Sequence, residues 1–232
     1  MVLWRDQCVV VIPCLNEAAA IGPLVQQVRK FLPHVLVVDD GSRDDTGAQA
    51  EAAGARVLRH HQPEGKGAAL TTGFRAAVDA GFAWALAMDG DAQHSPADIP
   101  AFLDLAGREP AAMIVGNRMA RPDGMPWLRR QVNRWLTYLI AQLAGCPLAD
   151  SQCGFRLLNL AVWAKLPMVS RHFEIESELL VQFARAGASI RFVPIEVIYK
   201  EEQSKIHPVR DTLRWWRWWW LTWRTAPRRR RK

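Results

Sequence analysis

The sequence predicts an α/β fold built on a mostly parallel sheet flanked by helices. Three observations carry this. Short β-branched runs alternate with segments of helical periodicity. The runs end in polar clusters, where ligands of open α/β sheets sit. The chain has 232 residues, half of them hydrophobic, enough to bury the core such a sheet needs.

The elements follow in order. Val9–Pro13 is β-branched and reads as a first strand. Residues 18–32 place Ile21, Leu24, Val25, Val28 and Phe31 at helical spacing. A second apolar run, 35–38, ends in Asp39-Asp40-Gly41-Ser42. Residues 44–54 are Ala-rich and helical in pattern, 56–59 suit a third strand, and 66–81 carry an apolar stripe through Leu70, Phe74 and Val78. The run 82–88 is a buried strand, and Ser95-Pro96-Ala97-Asp98 has the cap, Pro and acid of a helix start. A strand at 112–115 and a helix at 128–145 follow, the latter with Arg129, Arg130 and Arg134 in its early turns. Residues 174–187 read as a helix opened by Glu174, Glu176 and Glu178, acids that a helix N-terminus favours in any case. The strand at 190–199 contains Pro194 and is expected at a sheet edge.

The stretch Met88-Asp89-Gly90-Asp91-Ala92-Gln93-His94 is the most informative. If the strand's extended geometry persists, Asp89, Asp91 and Gln93 point the same way. Three oxygen donors on one side suit a hard cation, Mg²⁺ or Mn²⁺, which completes its shell with water and phosphate oxygens. A polar turn would use the same residues. There is no GxGxxG and no P-loop motif, and Gly65-Lys66-Gly67 is too short to count as one. Cys8, Cys14, Cys146 and Cys153 form no CxxC pair and no zinc spacing, and read as reduced thiols. His94 is not expected as a ligand.

The net charge of +7 is unevenly spread: residues 205–232 carry +9 and the rest −2. Six of the 11 tryptophans, Trp215, Trp216, Trp218, Trp219, Trp220 and Trp223, lie in 207–224 with Arg210, Arg214, Arg217 and Arg224 among them. As a helix this segment is roughly 27 Å long. Its arginines argue against spanning a bilayer, and Trp with Arg favours the membrane interface. The closing cluster 228–232 adds roughly 1 kcal/mol per charge on an anionic leaflet. The expectation is an amphipathic helix lying on the membrane surface. The alternatives are a helix packed on its own domain or on a membrane-embedded partner subunit. No nucleic-acid partner is expected, since the body offers no basic stripe. The N-terminus lacks the layout of a signal peptide, and no stretch approaches the ~20 apolar residues of a membrane span.

Seven landmarks fall in order: VVIPCLNE (10–17), VVDDGSRDDT (37–46), GKGAAL (65–70), MDGDAQHSP (88–96), VGNR (115–118), DSQCGFR (150–156) and VPIEV with QSK (193–205). Together they resemble family 2 of the inverting nucleotide-sugar glycosyltransferases, closest to the dolichyl-phosphate mannose synthase branch and its bacterial polyprenyl-phosphate relatives. The resemblance implies the Rossmann-like glycosyltransferase type A fold, with a catalytic domain over 1–206 and the Trp/Arg-rich helix and basic tail over 207–232. It implies a donor site at Pro13, Asn16, Glu17, Asp39, Asp40, Gly90 and Arg118. Asp89, Asp91 and Gln93 match the branch's D-x-D-x-Q metal pattern, and Asp91 becomes catalytic. Arg130 and Lys205 match residues for the acceptor phosphate, although Arg130 also suits a solvated helix position. In the loop before Lys205, Lys and Gln stand where the family carries Arg and Gly. Asp150 is the candidate base if the acceptor is a hydroxyl, and otherwise bonds the turn at 154–156.

The implied reaction is transfer of a hexose, mannose or glucose, from GDP- or UDP-sugar to polyprenyl phosphate on the inner face of the cell membrane. An ionised phosphate acceptor needs no strong base. A saccharide or lipid hydroxyl acceptor is the second reading, and a non-catalytic surface-binding protein the third.

Overall fold

The computed structural model describes residues 4–121, 125–196 and 208–225. Along the chain these form α1 (Trp4–Gln7), β1 (Cys8–Cys14), α2 (Ala18–Val28), β2 (Val35–Asp39), α3 (Thr46–Ala52), β3 (Arg56–Arg59), α4 (Lys66–Asp79), β4 (Trp84–Ala87), α5 (Ile99–Arg108), β5 (Met113–Asn117), α6 (Trp127–Ala144), β6 (Arg156–Asn159), α7 (Leu160–Trp163), α8 (Ile175–Arg185), β7 (Ile190–Pro194) and α9 (Pro208–Arg224). Pro96–Asp98 and Arg118–Ala120 are single 3₁₀ turns. Ser95 caps the first of them as expected, its Oγ accepting from the Ala97 amide.

Seven strands form one sheet in the order β3-β2-β1-β4-β6-β5-β7. All pairings are parallel except those of β6, which runs antiparallel to both β4 and β5. Every residue of β1 and β2 is buried, the pattern of strands covered on both faces. One group of helices joins α4 to α7 and α8 and α8 to α6, and another joins α2 to α3. The Pro194 strand takes the sheet edge beside β5, as its proline predicts.

Several elements differ from the expectation, among them the unanticipated four-residue helices α1 and α7. The strand β6 was not anticipated: it is four residues long and begins inside the DSQCGFR motif. The strand at 82–88 ends at Ala87. Beyond it the chain turns, and Ala92 takes a left-handed φ of 55°.

The topology positions the site. Parallel β1, β2, β4 and β5 end together, at Cys14, Asp39, Ala87 and Asn117. Because β6 is reversed, Arg156, its first residue, pairs with Ala87 and Val115 near those ends. The segment 150–155 therefore reaches the same edge as the four polar clusters.

The Trp-rich helix α9 forms as predicted and docks on the body. Trp215 is buried, and its Nε1 donates to Ser177 Oγ at 3.0 Å. Arg185 Nη2 donates to the Thr222 carbonyl at 3.0 Å. The opposite face is exposed at Val209, Leu213, Trp220, Leu221 and Trp223. No helix among the described residues is long and apolar enough to cross a membrane.

Candidate active site

The first two clusters are knitted into one wall. The Asn16 amide donates to Ser42 Oγ at 2.9 Å and Asn16 Oδ1 accepts from the Arg43 amide at 2.9 Å. The Glu17 amide donates to Thr46 Oγ1 at 2.8 Å. Asn16 holds a φ of 52°, a left-handed conformation Asn tolerates better than most residues. Pro13, the penultimate residue of β1, is buried.

Asp39 and Asp40 are both buried, and neither is a simple solvated turn residue. Asp39 Oδ1 accepts from the Ser42 amide at 2.8 Å, while Oδ2 lies 3.4 Å from Arg59 Nε without a hydrogen bond among the described residues. Asp40 accepts from the Glu64 and Gly65 amides at 2.9 and 2.8 Å, and His60 Nδ1 lies 2.7 Å away. Asp40 thus ties the 60–65 loop to the end of β2.

The Asp89 carboxylate meets a cation that sequence reasoning did not assign to the site. Lys66 Nζ lies 2.6 Å from Asp89 Oδ1 and 2.5 Å from Glu176 Oε1. Burial alone would raise the Asp89 carboxyl, but the Lys66 ammonium holds it below its ordinary value. Burial would likewise lower the Lys66 ammonium, and Asp89 with Glu176 holds it above its usual range. Gly154 packs against the same carboxylate: a Cβ there would lie 2.7 Å from both Asp89 oxygens. Gly90 packs on β1, where a Cβ would lie 3.0 Å from that of Cys14.

Burial raises the Asp91 carboxyl, and the neighbouring charge of Asp89 raises it further. The expectation of three oxygens along one extended edge is not met, because the strand stops at Ala87. Asp91 Oδ1 instead accepts the Gln93 amide at 3.0 Å. Among the described residues no group of three or more His, Cys, Asp or Glu side chains is placed to hold a metal ion. The donor chemistry still fits a divalent cation: Asp89 and Asp91 are hard oxygen donors close enough that one charge disfavours the other. His94 is buried, stacks on Phe155 with ring centroids 5.3 Å apart, and burial pushes its imidazole down.

Arg118 and Asp150 form a buried fork. Arg118 Nε donates to Asp150 Oδ2 at 2.8 Å and Nη2 to Oδ1 at 2.9 Å. The carboxylate also accepts from the Arg118 and Gln152 amides and from Asn133 Nδ2. Burial would raise the Asp150 carboxyl, but Arg118 holds it below its ordinary value. Five donors leave Asp150 poorly suited to take a proton. Its geometry is that of an anchor for Arg118.

Arg130 is half-buried and lies one turn before Asn133 on α6, toward the Asp150 fork; its Nε has no hydrogen-bond partner among the described residues. Lys205 lies outside the described residues. Arg156, fully buried, was not foreseen as a support. Its guanidinium donates to the carbonyls of Cys153, Ser151 and Glu176, binding the 150–155 segment to the start of α8. The acids there do more than favour a helix terminus: Glu178 accepts from the Val169 and Ser170 amides, and Glu176 holds Lys66.

Comparisons with known proteins bear on the family and the fold. The model of glycosyl transferase family 2 matches residues 9–166. The polyprenol monophosphomannose synthase of Mycolicibacterium smegmatis is 29% identical over 211 residues, covering 84% of this chain and 79% of that protein. The UDP-N-acetylglucosamine–dolichyl-phosphate N-acetylglucosaminyltransferase of Methanococcus voltae is 27% identical, covering 82% and 85%. The fold matches the glucosyl-3-phosphoglycerate synthase of Mycobacterium tuberculosis, solved with Mn²⁺, UDP-glucose and phosphoglyceric acid, with a TM-score of 0.71 at 23% identity over 94% of this chain and 78% of that one. With that family model spanning residues 9–166, well over half of the chain, on a glycosyltransferase type A fold, the chain belongs to glycosyl transferase family 2.

Proposed function

We propose that the protein transfers a hexose from a nucleotide-sugar to a polyprenyl phosphate, with inversion, at the cytoplasmic face of the membrane. The observation that carries the lipid acceptor is a shared exposed face of α6 and α9. Trp127, Leu128, Trp135 and Tyr138 of α6 are exposed, as are Trp216, Trp220 and Trp223 of α9. The rings of Trp135 and Trp216 lie 5.6 Å apart, joining the two patches. Large apolar patches rimmed by charge mark membrane or protein interaction sites, and indole rings favour the half-wet bilayer interface. Arg129 and Arg134 border this face and suit anionic headgroups. The same helix carries Arg130 and Asn133 toward the Arg118–Asp150 fork, so an acceptor phosphate held at the interface lies on the route to the site.

The donor would lie over the ends of β1, β2 and β4, along Pro13, Asn16, Glu17 and Gly90, its nucleoside toward Asp39 and Asp40. Asp89 and Asp91, with Gln93, would hold a divalent cation, Mg²⁺ or Mn²⁺, which supplies Lewis-acid stabilisation of the departing diphosphate. Arg118, oriented by Asp150, presents a fixed positive charge where negative charge develops. Arg130 and Lys205 would hold the acceptor phosphate. That phosphate is already ionised at neutral pH, so the engagement of Asp150 by five donors leaves no missing base in this reaction. A phosphate oxygen attacks the anomeric carbon opposite the leaving diphosphate, which inverts it.

The test is transfer of radiolabel from GDP-mannose and from UDP-glucose to polyprenyl phosphate with Mg²⁺ or Mn²⁺, for the wild type and Asp91→Ala. Lipid-linked product lost in the variant supports the reading and names the donor. Metal-dependent nucleotide binding without lipid product refutes the lipid acceptor and directs attention to hydroxyl acceptors.

A further inference from the structure

We propose that Lys66 is a built-in counter-cation of the metal-binding carboxylate: it occupies Asp89 while no divalent ion is bound and withdraws onto Glu176 when one binds. This rests on the reading above that Asp89 and Asp91 hold the ion. Lys66 Nζ sits between two carboxylates, 2.6 Å from Asp89 Oδ1 and 2.5 Å from Glu176 Oε1. Its side chain, like that of Glu176, is largely buried, so the pairing is weakly screened by solvent.

Local charge explains why one ammonium serves two acids. Among the described residues Asp89, Asp91 and Glu176 supply three negative charges and Lys66 one positive, while Arg118 pairs with Asp150 in a two-pronged fork. The shortfall of two is that of a divalent ion. Without the ion, Lys66 is the cation paired with Asp89 among the described residues. Gly154 packs against the same carboxylate, where even a methyl group would lie 2.7 Å from both oxygens. An incoming ion therefore competes with Lys66 for the same headgroup.

The surroundings let the ammonium move while its backbone stays. Lys66 is the first residue of α4 and is flanked by Gly65 and Gly67. A Cβ on Gly67 would lie 2.6 Å from the Ser170 carbonyl oxygen, and Gly65 has a φ of +105°. The Ala68 amide donates to the Arg171 carbonyl at 3.0 Å. These contacts clamp the start of α4 against the 170–172 segment. The backbone that carries the receiving carboxylate is held as well, because Arg156 donates to the main-chain carbonyl of Glu176. Lys66 Nζ also lies 5.9 Å from the centroid of the Phe173 ring, close enough for that face to favour the cation once it leaves Asp89.

The test is Mn²⁺ titration of the nucleotide-free full chain, followed by electron paramagnetic resonance of free Mn²⁺. Lys66→Met removes the competitor and is expected to tighten Mn²⁺ binding by about tenfold, a modest share of the gross attraction between charges this close. Glu176→Gln removes the alternative seat and is expected to weaken binding, because Lys66 then stays on Asp89. Opposite signs from these two variants support the proposal. Equal signs, or no change in either, overturn it. Asp89→Asn separates the underlying reading: if it leaves Mn²⁺ binding intact, the ion is held elsewhere and that reading fails. Should Lys66→Met not fold, the double variant Lys66→Met/Glu176→Gln removes both charges of the buried pair, and its binding is expected to be tighter than that of Glu176→Gln alone.

Discussion

Replacing Asp150 by Asn separates an anchor from a base. The change keeps the shape and removes the charge. Asp150 accepts five hydrogen bonds, two of them from the fork of Arg118. An Asn presents one oxygen and one amide, so at least one arm of the fork meets a donor instead of an acceptor, and the Arg118 guanidinium keeps its charge without a counter-ion. Breaking a buried pair by removing one partner costs about 3–5 kcal/mol. For a chain of this size each kcal/mol moves the melting temperature by about 2–4 °C, so a fall of about 6–20 °C is expected by scanning calorimetry. The pH dependence has a definite sign. The folded Asp150 carboxyl lies below its ordinary value, so its contribution is full above the unfolded carboxylate range and is lost as pH falls through the folded value. The gap between wild type and variant should hold through neutral pH and narrow in acid. Donor binding should weaken as well, since Arg118 loses its orientation. An unchanged melting temperature and donor affinity, with turnover down a hundredfold, would refute the anchor and restore Asp150 as a base.

Three further outcomes are expected. Gly154→Ala places a methyl 2.7 Å from both Asp89 oxygens; Mn²⁺ affinity should fall about tenfold while overpacking costs about 1–3 kcal/mol, read by titration and calorimetry on the same sample. Arg156→Met strands three buried carbonyls, each costing about 1–3 kcal/mol, and should lower the denaturation midpoint severely; Arg156→Lys should recover only part, since an ammonium lacks the fork. Trp215→Ala empties a buried aromatic site at a cost of about 3–5 kcal/mol and should open α9 to protease, whereas Trp223→Ala, on the exposed face, should leave stability within about 0.5 kcal/mol and reduce flotation with anionic vesicles.

The parallel half of the sheet was legible because β1, β2 and β4 are apolar runs that lead into polar clusters, and their positions follow from that pattern. Pro194 likewise marked its strand as an edge. The reversed strand β6 was not legible. Its four residues, Arg156–Asn159, begin and end in polar side chains, and its place depends on pairing with β4 and β5, far away in sequence. The same distance hid Lys66. Between two glycines it resembled a fragment of a phosphate loop, and only the approach of α8 reveals the carboxylate beside it. Glycines 65, 67 and 154 held a usable signal, since each sits where another chain segment passes too closely for a side chain. Glu176 and Glu178 looked like ordinary helix-start acids because the local pattern is the same whether such a side chain meets solvent or a buried amine. Asp89 and Asp91 were singled out from spacing, but the end of the strand at Ala87 and the left-handed turn at Ala92 are backbone choices the spacing does not encode.

The reversal of β6 also has a cost during synthesis. The edge of β4 that faces β6 has its partner only after about seventy further residues have been made, a delay of roughly 4–14 s at ordinary translation speeds. Throughout that interval the nascent sheet exposes an apolar, unpaired strand edge of the kind that recruits other chains. The ribosome thus releases Asp89 well before Gly154, which packs against its carboxylate, and a chain cut short of residue 156 inherits the same open edge permanently.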